Sequence, residues 1–182
     1  MEIMESKNLI IREAVFEDCT YFTEWECKPD VTEFFTMNDK ATYEQLVTEY
    51  VRYNLNPMIM LFTITLKPED KPIGKILLTR IDRKEDSMDI TRIYIGDEEY
   101  RNKGYGEEAL RTILEYAFIN LHMERVTIDH FEKNKRADYL YQKIGFQNEG
   151  LMRNAGKKNG KYVNLQLMSM LRSEYYDKIH TK

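Results

Sequence analysis

Two rhythms of apolar residues run along this chain. Leu9, Ile10 and Ile11 lead into Arg12, Glu13 and Ala14, an apolar run closing on charge that reads as a first strand over residues 9–14. Val15, Cys19, Phe22 and Trp25 then recur every three to four residues and predict a short amphipathic helix that stops at Pro29. Residues 30–40 keep no period and are read as irregular. Thr42, Tyr43, Glu44 and Gln45 stand in capping-box order, and Tyr43, Leu46, Val47, Tyr50 and Val51 form the stripe of a helix that ends before Pro57. Residues 58–66 and 73–81 are β-rich apolar runs joined by a polar turn, the pattern of an antiparallel hairpin. Residues 87–95 continue as a further strand after the charged turn at 82–86.

The strongest helical period follows Arg101-Asn102-Lys103-Gly104-Tyr105-Gly106. Ala109, Leu110, Ile113, Leu114, Ala117, Phe118 and Leu121 share one face, so this helix faces a core. Residues 125–129 make a short strand, which completes a β-α-β unit and requires a locally parallel strand pair. Ala137, Leu140, Tyr141 and Ile144 line one side of a second helix over residues 134–144, and Gly145 suits its C-terminal cap. Residues 146–152 and 161–171 are the last strands, with Asn159-Gly160 as the hairpin turn signal, and residues 172–182 read as a short helix or a frayed end. No repeat, low-complexity tract or linker interrupts the 182 residues, which therefore read as one domain, 1–182, of mixed α/β (α+β) class. Its sheet is expected to be mostly antiparallel, flanked by helices, with the parallel β-α-β unit at its centre.

Composition narrows the function classes. A net charge of -4 argues against a broad nucleic-acid surface, and no uncharged apolar stretch approaches the roughly 20 residues of a membrane helix. A soluble cytoplasmic protein is the expectation. Cys19 and Cys27 form no C-x-x-C pair and have no histidine cluster near them, so they are read as buried or half-buried free thiols, with no metal site. Acids crowd the stretch from Glu13 to Glu49, where Lys28 and Lys40 are the only bases. That crowding fits either a solvated helical face or a region that favours a cationic substrate.

The glycine loop carries the most specific chemistry. A strand ending in Ile93-Tyr94-Ile95, a glycine loop and a long helix together expose backbone N–H groups along the positive end of a helix dipole, which suits a phosphate or pyrophosphate. The two glycines alone also fit an ordinary turn. Gly104-x-Gly106-x-x-Ala109 with Asp129 twenty residues on fits a dinucleotide fingerprint, and an NAD-dependent oxidoreductase is the reading that follows from it. Residues 96–103 lengthen the approach to the first glycine, however, and too few β-α-β units remain downstream for that fold.

Arg101-x-x-Gly104-x-Gly106, followed by Asn134-x-x-Ala137-x-x-Leu140-Tyr141-x-Lys143-x-Gly145-Phe146, resembles the GNAT superfamily of N-acetyltransferases over residues 9–171. Glu149-Gly150-Leu151-Met152-Arg153 and the Asn159-Gly160 hairpin are similar to the branch that holds ribosomal-protein N-terminal acetyltransferases and spermidine acetyltransferases. Many members of that branch carry Asp where this chain has Asn164. The resemblance implies an acetyl-CoA cosubstrate, no metal, and an amine acceptor, either a cationic small molecule such as a polyamine or a protein N-terminus. It implies that Ile93, Tyr94 and Ile95 pair with the pantetheine arm, and that Arg101, Asn102, Lys103, Gly104, Tyr105 and Gly106 wrap the pyrophosphate. It also places Asn134, Ala137 and Lys143 on the cofactor side.

By the same resemblance Tyr141 is the acid that protonates the leaving thiol. Its ordinary pKa of about 10 keeps it able to donate at neutral pH. Asp89, at the start of the strand that leads to Ile93, is near the position of a family base, and a bulge would decide which face it takes. His122 and His130 are lone histidines read as structural or solvated, and Lys157, Lys158 and Lys161 as a solvated turn. A non-catalytic acyl-CoA-binding regulatory module is the alternative to an enzyme, and a homodimer is compatible with either.

Overall fold

The computed structural model describes residues 2–36 and 40–180. Eight strands form one sheet in the order β1-β2-β3-β4-β5-β6-β8-β7. They are β1 (Ile3–Glu5), β2 (Leu9–Glu13), β3 (Met60–Leu66), β4 (Lys71–Asp82), β5 (Ser87–Ile95), β6 (Arg125–Phe131), β7 (Gln147–Lys158) and β8 (Lys161–Leu171). The helices are α1 (Asp18–Glu26), α2 (Pro29–Thr32), α3 (Tyr43–Asn54), α4 (Tyr105–Glu115), α5 (Lys135–Ile144) and α6 (Arg172–His180). Neighbouring strands run antiparallel except β5 and β6, because α4 intervenes between those two and returns the chain to the same end of the sheet.

The parallel pairing is short, matching Ser87–Ile90 with Arg125–Ile128. Beyond Ile90 the two strands part, while β5 stays paired to β4 as far as Ile95 and β6 to β8 as far as Phe131. A bulge accompanies the parting: Leu77 faces Arg92 and Leu78 faces Ile90, so Thr91 is the extra residue. A bulge bends its strand and rephases its side chains. Met88, Ile90, Ile93 and Ile95 accordingly pack toward α4, while Tyr94 packs on the opposite face toward α1 and Asp89 bonds across that face.

Each face of the sheet has its own core. On one side Ala109, Leu110, Ile113 and Leu114 of α4, with Ala117 and Phe118 of the turn that follows it, share a core with Phe62, Ile64, Ile76 and Ile90, and Tyr141 and Ile144 of α5 join them. Fully burying side chains of this size contributes about 1.5–3 kcal/mol each. On the other side Phe22, Trp25, Leu46 and Tyr53 of α1 and α3 cover Leu61 and Leu77. The capping box at Thr42 and Gln45 forms as read, and α3 ends at Asn54.

Several boundaries differ from the sequence reading. β1 escapes it because three residues with one inward apolar side chain, Met4, give too little period. Pro29 opens α2, a position where its missing N–H costs nothing, so residues 30–40 are not irregular throughout. Residues 37–39 of that stretch, and 181–182 of the tail, lie outside the described residues. Cys27 follows α1 and is exposed, against the expected burial, whereas Cys19 is buried. The helix after the glycine loop changes at Tyr116 to a wider π turn that runs to Asn120. β7 continues past residue 152 to Lys158, with exposed side chains along most of its length that hid the strand period.

Candidate active site

The glycine loop is held open by its own backbone conformation. Gly104 precedes α4 with φ +87°, and Asn102 also takes a positive φ, which turns successive backbone N–H groups to one side. Among the described residues no protein acceptor meets the backbone N–H groups of Lys103, Gly104, Tyr105, Gly106 and Glu107. A Cβ at Gly104 would meet nothing within 4 Å, so the conformation and the open space above it, rather than packing, call for glycine there. The loop therefore presents an unfilled array of donors at a helix N-terminus, the arrangement that suits a pyrophosphate.

Arg101 frames the loop instead of pointing into it. Its guanidinium donates to the carbonyls of Ile95 (3.0 Å) and Gly96 (2.9 Å) and bonds the Asp30 carboxylate of α2. Lys103 lies 5.2 Å from the ring centre of Tyr100, and Lys71 lies 4.6 Å from the same ring. Two acids in the first turn of α4 are accounted for by the fold. Glu108 accepts from Ser6 Oγ (2.7 Å) and from the Asn8 backbone N–H (2.7 Å), tying the β1–β2 turn to the helix. Glu107 accepts from Arg111 (2.9 Å) and Lys143 (2.6 Å), which keeps both its own charge and the Lys143 ammonium on the flank of α4 and α5.

The parting of β5 and β6 leaves backbone groups on the facing edges without a partner strand among the described residues beyond Ile90 and Ile128, an opening at which an extended chain can add hydrogen bonds. Ile93, Tyr94 and Ile95 lie along it. Asn134 caps α5: its Oδ1 accepts from the Ala137 N–H at 3.1 Å, which leaves its amide donors available at the same end of the cleft. Ala137 is half-buried beneath the helix.

Three ionisable groups lie on the elements that border the parting, Asp89 on β5, Asp129 on β6 and Tyr141 on α5. Asp89 is 7% exposed and accepts from Thr127 Oγ1 (2.7 Å) and Thr91 Oγ1 (2.8 Å), one hydroxyl from the neighbouring strand and one from the bulge. Asp129, two residues beyond Thr127, stands in the open mouth of the cleft, reached by solvent yet crowded by protein. Its carboxyl is pushed up to about 6, first by loss of hydration and then by the charge of Asp89. Tyr141 is buried, and that burial, followed by the charge of Asp129, raises its phenol above the ordinary range, so it stays protonated at neutral pH. No hydrogen-bond partner meets its hydroxyl among the described residues. Its ring packs edge-on to His130 at 5.8 Å and beside Phe146 at 6.0 Å.

The face opposite α4 carries a buried polar cluster. Glu26 accepts from Lys75 Nζ (2.7 Å) and Tyr94 Oη (2.8 Å), and Arg92 lies 4.0 Å from Glu26 and 3.8 Å from Glu49. Burial lowers the Lys75 ammonium, against the pull of Glu26. A cavity of about 490 Å³ opens beside this cluster, with Thr36, Glu44, Thr48 and Arg52 on its walls. Asn164 sits elsewhere, at the edge of β8, where Nδ2 donates to Glu132 (3.0 Å) and Oδ1 accepts from the Asn154 N–H (2.9 Å). An Asp there has no donor for Glu132, which accounts for the amide in this chain.

The structure forms the expected glycine loop, leaves the edge of β5 open beyond Ile90, sets Tyr141 on α5, and holds Asp89 just before the opening, where β5 and β6 are still paired. The sequence reading weighs Asp129 only as a ribose contact and does not foresee a carboxyl raised by its surroundings. It also missed the Lys75–Glu26 pair, although a lone lysine inside Ile73-Gly74-Lys75-Ile76-Leu77 was the signal for a buried cation.

Comparison with known proteins settles the family. The acetyltransferase (GNAT) domain model matches residues 8–147. The chain belongs to the GNAT acetyltransferase family. As a member it is an N-acetyltransferase that draws its acetyl group from acetyl-CoA. An uncharacterized N-acetyltransferase of Bacillus licheniformis, p20, is 25% identical over 182 residues, covering 96% of this chain and 99% of that protein. Spermidine N(1)-acetyltransferase of Vibrio cholerae is 28% identical over 80 residues, covering 44% of this chain and 46% of that protein. Among solved structures, spermidine N-acetyltransferase from Vibrio cholerae in complex with CoA and spermine superposes with a TM-score of 0.84 at 21% identity, over 92% of this chain and 98% of that one. A GNAT-family acetyltransferase from Bacillus anthracis gives 0.82 at 21% identity, over 95% of this chain and all of that one. The shared fold includes the mixed, mostly antiparallel sheet and its parallel β5–β6 pair.

Proposed function

We propose that this enzyme acetylates a primary amine carried on a small polar molecule or at a peptide N-terminus, with Asp129 and Tyr141 handling the protons. The observation that carries the reading is the open array of N–H donors at the start of α4 beside the parting of β5 and β6, with Asp129 on β6 and Tyr141 on α5 bordering that opening. Two groups whose environments hold them in opposite protonation states near neutrality suit a base and an acid.

When bound, acetyl-CoA supplies a thioester whose leaving sulfur needs a proton. Lys103, Gly104, Tyr105, Gly106 and Glu107 hold the pyrophosphate through their free N–H groups, with Arg101 fixing the loop. Ile93, Tyr94 and Ile95 offer the strand edge to the pantetheine arm, and Asn134 and Ala137 border it. Asp129 accepts the proton of the incoming ammonium, directly or through water. Asp89 acts on Asp129 by charge, its two oxygens being engaged by Thr91 and Thr127. Tyr141 holds its proton on Oη for the leaving sulfur.

The acidic stretch offers a cation less than its composition implies. Asp18 bonds Arg12, Glu24 bonds Lys28, Glu26 bonds Lys75, Asp30 bonds Arg101, and Glu49 lies beside Arg92. The cavity next to Arg92 sets Glu26, Glu44 and Glu49 against Arg52 and Arg92. Such a wall favours a tail with both donors and acceptors, as in a peptide main chain, over a bare polyamine.

A thiol-release assay with acetyl-CoA tests both levels. Comparable rates for amino-acid amides or short peptides and negligible rates for spermidine support the tail reading. Preference for spermidine removes the tail reading and leaves N-acetyl transfer standing, while CoA binding without release from any amine supports the non-catalytic module.

A further inference from the structure

Along β6 the inward face reads Val126, Ile128, His130, so an imidazole stands where the strand is otherwise aliphatic. The side chain of His130 is 4% exposed. Its Nδ1 lies 2.9 Å from the carbonyl oxygen of Phe131, and its Nε2 lies 3.6 Å from Asp138 Oδ1 and makes no hydrogen bond. Both ring nitrogens thus face oxygen acceptors. The neutral tautomer with its proton on Nδ1 satisfies Phe131 and turns a lone pair toward the Asp138 carboxylate. The other neutral tautomer turns a lone pair toward the carbonyl. Only the imidazolium, with a proton on each nitrogen, serves both oxygens.

We propose that His130 and Asp138 form a charged positioning pair that seats Tyr141 and eases its proton donation. Asp138 and Tyr141 lie three residues apart on α5, so closing Nε2–H onto Asp138 draws that helix onto β6 and fixes the phenol ring, whose centre is 5.8 Å from the imidazole. A positive charge at that distance favours the departure of the Tyr141 proton and opposes the effect of Asp129 on it. The groups facing His130 are Asp138 and Tyr141 from α5, the neighbouring Asp129 on β6, and from β8 the uncharged Gln166 opposite it. Gln142 donates to the same Asp138 oxygen at 2.8 Å and holds that carboxylate in place. The pair touches neither cosubstrate nor acceptor and acts through Tyr141, so the proposal rests on the acid role given to that residue.

The test compares wild-type protein with His130→Phe, which keeps an aromatic ring, and Asp138→Asn at the surface of α5. His130→Phe should lower kcat roughly five- to twentyfold with the KM for acetyl-CoA within about twofold, a modest share of the usual acid-base contribution. Its kcat profile should lose the alkaline limb, and the limb of Asp138→Asn should move to lower pH. Nitrogen NMR of the His130 ring, read without any acceptor, should show protons on both nitrogens to higher pH in wild type than in Asp138→Asn. Unchanged profile shapes, or a ring signal indifferent to Asp138→Asn, would overturn the pair. If His130→Phe does not fold, Asp138→Asn and the ring signal decide alone. Wild-type protein that releases no thiol with any amine would count against the proposed function, and the ring signal would still judge the pair.

Discussion

Asp89 on β5 and Asp129 on β6 share one face of the parallel pair, and the charge of Asp89, after burial, holds the Asp129 carboxyl up at about 6. The raised value has a consequence for stability. The folded protein keeps a proton that the unfolded chain releases near its ordinary value of 3.8, so stability falls as pH rises from about 4 to about 6 and stays lower above that. Asp129→Asn should therefore raise Tm at pH 7.5, leave it unchanged at pH 4, and lower turnover at both. In wild-type enzyme the acid limb of kcat/KM should lie near pH 6. An equal effect of the substitution on Tm at both pH values would mean that Asp129 is not held in an unfavourable charge state.

The buried pair on the other face makes a prediction about stability alone. Lys75 and Glu26 are 2.7 Å apart, with side chains 1% and 2% exposed. Lys75→Ala strands the Glu26 charge without its closest partner, a change that costs about 3–5 kcal/mol at such sites. Urea unfolding measures it. A loss below about 1 kcal/mol would mean that Arg92 compensates from 4.0 Å.

Gly104 separates binding from folding. Because open space surrounds its missing Cβ, Gly104→Val should cost only the backbone strain of φ +87°, about 1–2 kcal/mol, while its side chain covers the exposed donors. Acetyl-CoA affinity by calorimetry should weaken by roughly tenfold or more, the equivalent of about 1.4 kcal/mol. Unchanged affinity in a folded variant would show that the loop does not cradle the pyrophosphate.

Much of this fold is legible from local pattern, and the departures have physical causes. β5 and β8 match their expected limits because a polar turn opens each, and α4 is legible because its apolar stripe meets a core along every turn. α2 and β1 are too short for periodicity to register. The site depends on what periodicity cannot carry. Thr91 bulges because of how β4 and β5 pair, and that bulge decides the face on which Asp89 stands. Asp89 meets Thr127 across 38 residues of sequence, and Lys75 meets Glu26 across 49. Arg101 looked like a phosphate ligand from its place in the motif, yet the carbonyls of Ile95 and Gly96 leave its guanidinium little to offer. His130, read from sequence as structural or solvated, is buried and packed against Tyr141, a neighbour that local pattern does not name.

The most direct measurement follows CoA thiol release from acetyl-CoA with an amine panel, in wild-type protein and in Tyr141→Phe. Wild type should turn over at least one primary amine. Tyr141→Phe should be roughly ten- to a hundredfold slower with nearly unchanged acetyl-CoA affinity, since the ring stays packed and only the proton donor is lost. Wild-type turnover in Tyr141→Phe would contradict the assignment of Tyr141 as the acid.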